Sequence, residues 1–305
     1  MILIGTDDGI YRWFEGTPWP VFHGLQGRPV AALASQGGGT LAAADAEGRA
    51  WESANNGLDW REVPPPAWAG AATALAMVGT PAMLLLATES SGLYRRALGG
   101  DGWTPTANPS ARTQGAAPAV RRLDGSTALF AAVAGEGLWR SDDLGGSWSR
   151  REGLPDEVLS VHATKTSILL GTADGAWAST DGGTTFQRLG APEKAPRLST
   201  LEAQPDDPKH LLAGGSSPAK GPEPATSYLF ESRDGGKTWT HVFNKGFPED
   251  LEDDAIADIR FNPTNPDYAV VALTSGEMWS TRNGGDWWEP LARQVRGVRA
   301  VCAVG

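Results

Sequence analysis

Short apolar runs separated by glycine-containing turns repeat along the whole chain. Within residues 158–189, the apolar runs VLSVHA, ILLGT, AWAS and FQRL alternate with the polar segments TKTS, ADG and TDGGTT. Runs of this length between Gly, Asp and Thr are typical of β-strands joined by tight turns, and helix-length amphipathic segments are not evident. The pattern predicts an all-β protein in which such a segment forms one four-stranded antiparallel sheet.

Seven segments of the chain follow this order of runs and turns, and their aromatic residues recur at fixed places. The first aromatic of each segment lies in its third predicted strand, and from the second segment onward another aromatic follows nine residues later. The first aromatics are Tyr11, Trp51, Tyr94, Trp139, Trp177, Phe230 and Trp279. A period of 38 to 53 residues indicates a propeller, because a parallel solenoid would need one strand per rung and shorter periods. We predict a seven-bladed β-propeller of four-stranded antiparallel blades, a single domain over residues 1–305.

The two ends of the chain carry complementary pieces of one blade. The start, ILIGTDDG, matches the second strand of the other segments, and the end, VRGVRAVCAV, matches an inner strand. We predict that residues 298–304 complete the first blade beside Ile2, because closing the ring leaves no open sheet edge.

An eight-residue motif stands between the third and fourth predicted strands. SDDLGGSW (141–148), STDGGTTF (179–186) and SRDGGKTW (232–239) share Ser, Asp, Gly and an aromatic residue, while SANNGLDW (53–60) and TRNGGDWW (281–288) replace Asp by Asn. The motif resembles the Asp-box, or BNR repeat, with the pattern S-x-D-x-G-x-T-W. The resemblance implies a propeller of the sialidase-like or photosystem-assembly-type superfamily.

The chemistry of the motif predicts a structural role. An Asp side chain accepts hydrogen bonds from nearby backbone N–H groups, glycine supplies the positive φ of a tight turn, and the aromatic residue packs between blades. We therefore assign the following residues to architecture and not to catalysis: Ser141, Asp143, Gly145, Trp148, Ser179, Asp181, Gly183, Phe186, Ser232, Asp234, Gly236 and Trp239.

Composition narrows the classes of partner. A net charge of -10 argues against nucleic acid, and the chain shows neither a membrane span nor a secretory signal, so we expect a cytoplasmic protein if Met1 is the native start. Cys302 is the single cysteine and the four histidines are scattered, so we expect no disulfide, no metal site and no cofactor. We also expect a monomer.

Candidate binding residues lie where the repeat is interrupted. Residues 214–227 and 242–259 are longer than the repeat requires, and long loops are often functional or else mobile. The second segment carries Phe247 and the acids Glu249, Asp250, Glu252, Asp253 and Asp254. Trp68 is either an exposed platform for a sugar ring or a cover for the core.

Arginines at or beside the predicted inner strands are the second set of candidates. Their guanidinium groups could bind carboxylates or phosphates in a polar funnel, or could pair with the acidic loop. These arginines are Arg28, Arg121, Arg122, Arg197, Arg296 and Arg299.

Two functions from different classes remain open. We expect a non-catalytic binding or scaffold propeller that presents a polar funnel and the sixth-blade loops to a protein partner or a polar or saccharide ligand. The alternative is a glycoside hydrolase that uses carboxylates on the same face, because the resemblance extends to sialidases and other Asp-box glycosidases. The Arg-Ile-Pro motif that the resemblance to sialidases implies is absent from this sequence.

Overall fold

Seven antiparallel sheets of four strands each form the structure, which is a computed structural model. The residues described are 1–14, 17, 19–64, 70–89, 92–106, 119–121, 127–133, 135–164, 166–218, 225–291, 295 and 297–304. The predicted seven-bladed β-propeller of four-stranded blades is confirmed.

Blades are numbered 1 to 7 along the chain, and the strands of each blade are named inner, second, third and outer from the central channel outward. The inner strands of blades 1 to 7 are Ala300–Ala303, Val30–Gly37, Ala72–Val78, Ala119–Arg121, Val158–Ala163, Arg197–Ala203 and Ile256–Asn262. The second strands are Ile2–Thr6, Thr40–Asp45, Met83–Thr88, Thr127–Val133, Ile168–Thr172, Leu211–Ser216 and Asn265–Leu273. The third strands are Gly9–Trp13, Ala50–Ser53, Gly92–Ala97, Gly137–Ser141, Gly175–Ser179, Ser227–Ser232 and Met278–Thr281. The outer strands are Val21–Gly24, Arg61–Val63, Thr104–Pro105, Ser149–Arg150, Gln187–Arg188, Thr240–His241 and Glu289–Pro290, and a short 3-10 helix, Val242–Lys245, follows that of blade 6.

The hydrophobic core lies between neighbouring blades. The second strand of blade 5 is buried at every residue, and its Ile168 packs in one cluster with Phe130 of blade 4. A strand covered on both faces reads as a continuous apolar run, which explains why ILLGT shows no polar alternation. Each fully buried side chain of this size contributes about 1.5–3 kcal/mol, so blade-to-blade contact is a main source of stability.

The ring closes through the C-terminal strand. Ala300–Ala303 pairs antiparallel with the second strand of blade 1, with Ile2 opposite Ala303 and Gly5 opposite Ala300. The predicted completion of the first blade by the end of the chain is confirmed.

Inner strands share a bulge that the sequence pattern did not predict. In blades 2, 3, 5, 6 and 7 the pairing with the second strand shifts by one residue near the start of the inner strand. In blade 7 the shift falls between Ile256 and Asp258. An extra residue at a bulge redirects the side chains that follow it, and Asp258 lines the central channel.

Candidate functional site

The central channel holds a cavity of about 750 Å³ with two chemically different walls. Blades 2 and 3 supply what we call the apolar wall, which consists of Ala31, Ala32, Leu33, Ala34, Ala74, Leu75, Ala76 and Met77. Blades 5, 6, 7 and 1 supply what we call the polar wall, which consists of His162, Glu202, Asp258, Arg260 and Cys302. A cavity of this volume is in the range of small-molecule sites.

One guanidinium group joins the acids of the polar wall. Arg260 Nη1 lies 3.1 Å from Glu202 Oε2 and 3.1 Å from Asp258 Oδ1, and His162 Nδ1 lies 2.9 Å from the same oxygen of Glu202. Arg260 Nε donates to the carbonyl oxygen of Val301 at 3.2 Å, and Asp258 Oδ2 accepts from the N–H of Val301 at 3.1 Å. The network therefore crosses four blades and includes the strand that closes the ring.

The two carboxylates of the polar wall have different proton affinities. Burial raises the pKa of Asp258 to about 6; the positive charge of Arg260 opposes this shift, and the negative charge of Glu202 adds to it. Burial also acts to raise the pKa of Glu202, but the charges of His162 and Arg260 outweigh it and the net shift is downward. Burial raises the pKa of the Cys302 thiol to about 11, so the thiol remains protonated at neutral pH.

The structure distributes the predicted arginines over several places. Arg299 lines the cavity and its Nε lies 2.5 Å from Asp7 Oδ1. Arg197 pairs with Glu157 at 2.8 Å, and the guanidinium of Arg28 lies 5.9 Å from the ring centre of Trp51. Neither Arg197 nor Arg28 lines the cavity. Trp68, Arg122, Arg296 and the side chain of Arg121 lie outside the described residues.

The acidic segment after blade 6 is held by apolar anchors. Phe247 is 3% exposed, and its ring centre lies 5.2 Å from that of Trp279 and 6.0 Å from that of Trp288. The N–H of Leu251 donates to the carbonyl oxygen of Ser227 at 3.0 Å. Phe247 therefore belongs to the core and not to an exposed binding surface, which corrects its assignment from the sequence.

We call residues 248–254 the acidic loop. Glu249, Asp250, Glu252 and Asp253 are exposed, and none of the four forms an ion pair with any residue that the structure describes. Asp254 differs, because its Oδ1 accepts hydrogen bonds from the N–H groups of Ala255 at 2.8 Å and Ser275 at 3.0 Å. Burial alone would raise the pKa of Asp254, but its hydrogen bonds lower it overall.

Residues 214–227, the other predicted interruption of the repeat, lengthen the hairpin between the second and third strands of blade 6. The N–H of Ser217 donates to the carbonyl oxygen of Thr226 at 2.9 Å, and the N–H of Thr226 donates to Ser217 Oγ at 3.0 Å. Residues 219–224 lie outside the described part of the chain.

The carboxylates of the eight-residue motif bind the amides of their own turns. Asp181 Oδ1 accepts from the N–H groups of Thr184 and Thr185 at 2.9 Å, and Oδ2 accepts from the Thr185 hydroxyl at 2.6 Å. The hydrogen bonds from Thr185 lower the pKa of Asp181 well below its usual range. In blade 7, Asn283 Oδ1 accepts from the N–H of Trp287 at 2.9 Å. An amide oxygen therefore replaces the carboxylate where Asn stands in the motif.

The glycine of the motif allows neighbouring blades to approach each other. Gly183 has φ +81°, and a Cβ atom there would lie 2.5 Å from Cζ of Phe130 in the preceding blade. The same turns bond to the preceding blade: Trp239 Nε1 donates to the carbonyl oxygen of Gly190 at 3.2 Å, and Arg140 Nη1 donates to that of Gly182 at 2.8 Å. The motif thus shapes a turn and joins two blades.

The polar wall was missed by the sequence analysis. The signal present in the sequence is a charged residue inside an otherwise apolar inner strand, as for Glu202 in RLSTLEA and for Asp258 and Arg260 in IADIRFN. Since the side chains of a strand alternate between its faces, the pattern alone leaves open which of them line the channel, and the bulges add a further shift.

Within the described ranges, no helix is long and apolar enough to cross a membrane. No group of three or more His, Cys, Asp or Glu side chains in those ranges is arranged to hold a metal ion.

Comparison with known proteins relates the chain to several propellers. Residues 136–245 match the Sortilin-Vps10 family, described as sortilin, neurotensin receptor 3. A search of the curated proteins finds no match to the chain.

Several solved structures resemble this chain over most of its length. The GH74 xyloglucanase from Xanthomonas campestris superposes with a TM-score of 0.69 at 18% identity, over 94% of this chain and 52% of that chain. The Niastella koreensis GH74 enzyme gives a TM-score of 0.71 at 15% identity, over 92% and 50% of the two chains. YCF48 bound to D1 peptide gives a TM-score of 0.63 at 15% identity, over 92% and 87%.

The chain thus spans about half the length of the GH74 enzymes and most of the length of YCF48. At these identities the likeness shows the fold alone, which is a seven-bladed β-propeller.

Proposed function

We propose that this protein is a non-catalytic binding or scaffold propeller that presents its channel mouth and the acidic loop to a protein partner with a basic surface. The observation that carries the proposal is the acidic loop, where four exposed carboxylates lack an ion-pair partner among the described residues. Buried Phe247 anchors the chain just before this run of acids, and Leu251 is paired with Ser227 in the middle of it. A loop fixed in this way loses little conformational entropy when a partner binds.

Charge supports the same conclusion at longer range. The chain has a net charge of -10, and complementary charge increases the rate of encounter and suppresses wrong partners. YCF48, a propeller of similar length, is recorded with a bound D1 peptide. Peptide binding by a single ring of this size supports a binding role for the present chain.

Charge reversal on the acidic loop tests the proposal. The variant E249K/D250K/E252K should lose the partners that the wild-type protein captures from its host at low salt, and those partners should also dissociate from the wild type as salt is raised. The matched control is E62K/E152K/E289K, which makes the same charge change at exposed sites on other blades. Partners that bind both variants equally would contradict a role for the acidic loop.

A glycoside hydrolase is the second candidate, and the polar wall is the observation that favours it. Glu202 Oε2 and Asp258 Oδ1 both contact Arg260 Nη1 at 3.1 Å, so the sum of those two contacts limits their separation. Retaining glycosidases place two carboxyl groups about 5–5.5 Å apart, one of them with a raised pKa. The raised pKa of Asp258 and the lowered pKa of Glu202 match that division.

The lining of the cavity favours binding over polysaccharide cleavage. Among the described residues that line the cavity, the aromatic rings are Phe261 and the imidazole of His162, and the other lining residues offer no ring on which a sugar could stack. Hydrolysis of xyloglucan or aryl glycosides that disappears in both E202Q and D258N, with each variant still folded and melting cooperatively, would establish the hydrolase. Turnover that survives in either variant would reject this pair of carboxylates.

A further inference from the structure

The polar wall has an unused hydrogen-bond acceptor inside the cavity. Both partners of Glu202, the His162 ring and the Arg260 guanidinium, contact its Oε2 atom. Its other oxygen, Oε1, has no hydrogen bond to a described residue, although the side chain is only 10% exposed and lines the cavity. A carboxylate oxygen that is open to the cavity can accept a hydrogen bond from a ligand, and the bond is stronger when the donor is charged.

The charge of the same cluster indicates which donor fits. Glu202 and Asp258 carry two negative charges when ionised, and Arg260 carries one positive charge, so this cluster has one negative charge in excess. The other arginine that lines the cavity, Arg299, is paired with Asp7 and leaves that excess unchanged. His162 offsets that excess only when it is protonated. The raised pKa of Asp258 indicates the same imbalance, because Arg260 does not fully offset the cost of burying that carboxylate. A cationic donor would supply the missing charge and the missing hydrogen bond together.

The apolar wall defines the rest of the ligand. Residues of the inner strands of blades 2 and 3 line the cavity, and Ala31, Leu33 and Ala74 are the partly exposed apolar residues among them. An aliphatic stem that leaves the charged group can lie along these residues, and burying it there is favourable because it removes apolar surface from water. The cavity of about 750 Å³ has room for such a stem with its charged head.

We propose that the channel cavity binds a primary alkylammonium group, whose N–H donates to Glu202 Oε1 and whose aliphatic stem lies against the apolar wall. The ligand is either a small aliphatic amine or a lysine side chain, which share this chemistry. The proposal rests on the binding role proposed above and places a second contact inside the channel, apart from the acidic loop.

Titration calorimetry of the wild-type protein with pentylamine, pentanol and Nα-acetyl-lysine N-methylamide tests the site. Pentylamine should bind about tenfold or more tightly than pentanol, because only the amine forms the charge-assisted hydrogen bond. Binding of the lysine derivative as well would assign the site to a peptide side chain, whereas binding of pentylamine alone would assign it to a small amine. Equal binding of pentylamine and pentanol, or no binding of either amine, would overturn the proposal.

Glu202→Gln provides the matched variant, with Glu157→Gln as its control. E202Q should weaken pentylamine binding about tenfold or more and leave pentanol unaffected. Glu157 is an acid of the same type that pairs with Arg197 outside the cavity, so E157Q should bind pentylamine as the wild type does. Pentylamine affinity that is unchanged in a folded E202Q protein would also overturn the proposal.

Partner capture and amine binding are read out separately. Loss of capture in E249K/D250K/E252K with intact pentylamine binding would uphold both proposals, since the loop and the cavity are different surfaces. Unaltered capture in that variant, with pentylamine binding dependent on Glu202, would reject the acidic-loop role and keep the ammonium site. Capture that depends on the loop, without pentylamine binding, would reject the ammonium site alone.

Discussion

At the scale of single residues, the environment of a carboxylate decides what it does in this fold. Asp143, Asp181 and Asp234 look like catalytic acids in the sequence, but their oxygens accept hydrogen bonds within their own turns. Asp258 belongs to no sequence motif and lies within a largely apolar strand, and burial raises its pKa to about 6. The three acids of the motif are therefore poor candidates for a catalytic role, and Asp258 is the better candidate.

The raised pKa of Asp258 makes a signed contribution to stability. The folded-state pKa of about 6 exceeds the ordinary value of 3.8, so the folded protein binds more protons between those two pH values. The contribution of this group is complete below pH 3.8 and is lost as the pH rises through 6. As the pH rises from 4 to 7, we expect the unfolding free energy of D258N, taken relative to that of the wild type, to increase by about 2–3 kcal/mol.

Urea denaturation of both proteins at several pH values measures that difference. Comparing variant with wild type removes the opposite slope from acids whose pKa is lowered, such as Glu231 and Asp254, because both proteins contain them. A free-energy difference that stays constant from pH 4 to pH 7 would show that Asp258 has an ordinary pKa.

The turn acids lead to a prediction with a control supplied by the chain itself. Asp143 accepts hydrogen bonds from the N–H and the hydroxyl of Ser147 at 2.8 Å, and in blade 7 an Asn accepts the equivalent backbone bond. We expect D143A to lower the unfolding free energy by about 1–2 kcal/mol, and D143N to retain most of the wild-type value. Equal destabilisation by Ala and Asn, measured by urea denaturation, would show that the negative charge matters more than the acceptor.

At the scale of strands and loops, the sequence predicts the elements that recur in every blade. It does not predict the contacts that occur in one blade only. The strands and their order follow from apolar runs and turn residues, because those patterns reflect burial between blades at every repeat. The bulges of the inner strands have no such signature, and they influence which side chains enter the channel. The sequence also predicts an unanchored loop for the acidic segment. The anchor could not be predicted, because Phe247 contacts Trp279 and Trp288, which lie far from it in the chain.

Phe247 provides the prediction for this scale. Replacing the buried ring by Ala should cost about 3–5 kcal/mol and should increase amide exchange in residues 248–252, because the loop loses an anchor. Phe243 lies in the same segment but is 38% exposed, so F243A is the control and should cost much less. Exchange rates in F247A equal to those of the wild type would mean that the pairing of Leu251 with Ser227 is enough to hold the loop.

At the scale of the whole molecule, ring closure connects stability to the channel. The strand Ala300–Ala303 completes blade 1, and its Val301 also bonds to Asp258 and Arg260 of blade 7. The polar wall therefore exists only in the closed ring, since two of its residues depend on backbone groups from the end of the chain. The closure itself was predictable, because a surplus strand and a missing strand match in sequence; the polar contacts that accompany it were not.

A deletion and a circular permutation together test the closure. Removing residues 298–305 takes away buried Val298, Val301 and Val304 and should lower the unfolding free energy by about 5 kcal/mol or more. The amino nitrogen of Met1 donates to the carbonyl oxygen of Val304 at 3.3 Å, so a short linker can join the two ends. A new opening can be made in the exposed turn at Glu47. The permuted protein keeps every strand of blade 1 and should melt close to the wild-type temperature in calorimetry. A truncated protein that melts with the wild type would show that six blades and a partial seventh are sufficient, and the channel network would then have to form without Val301.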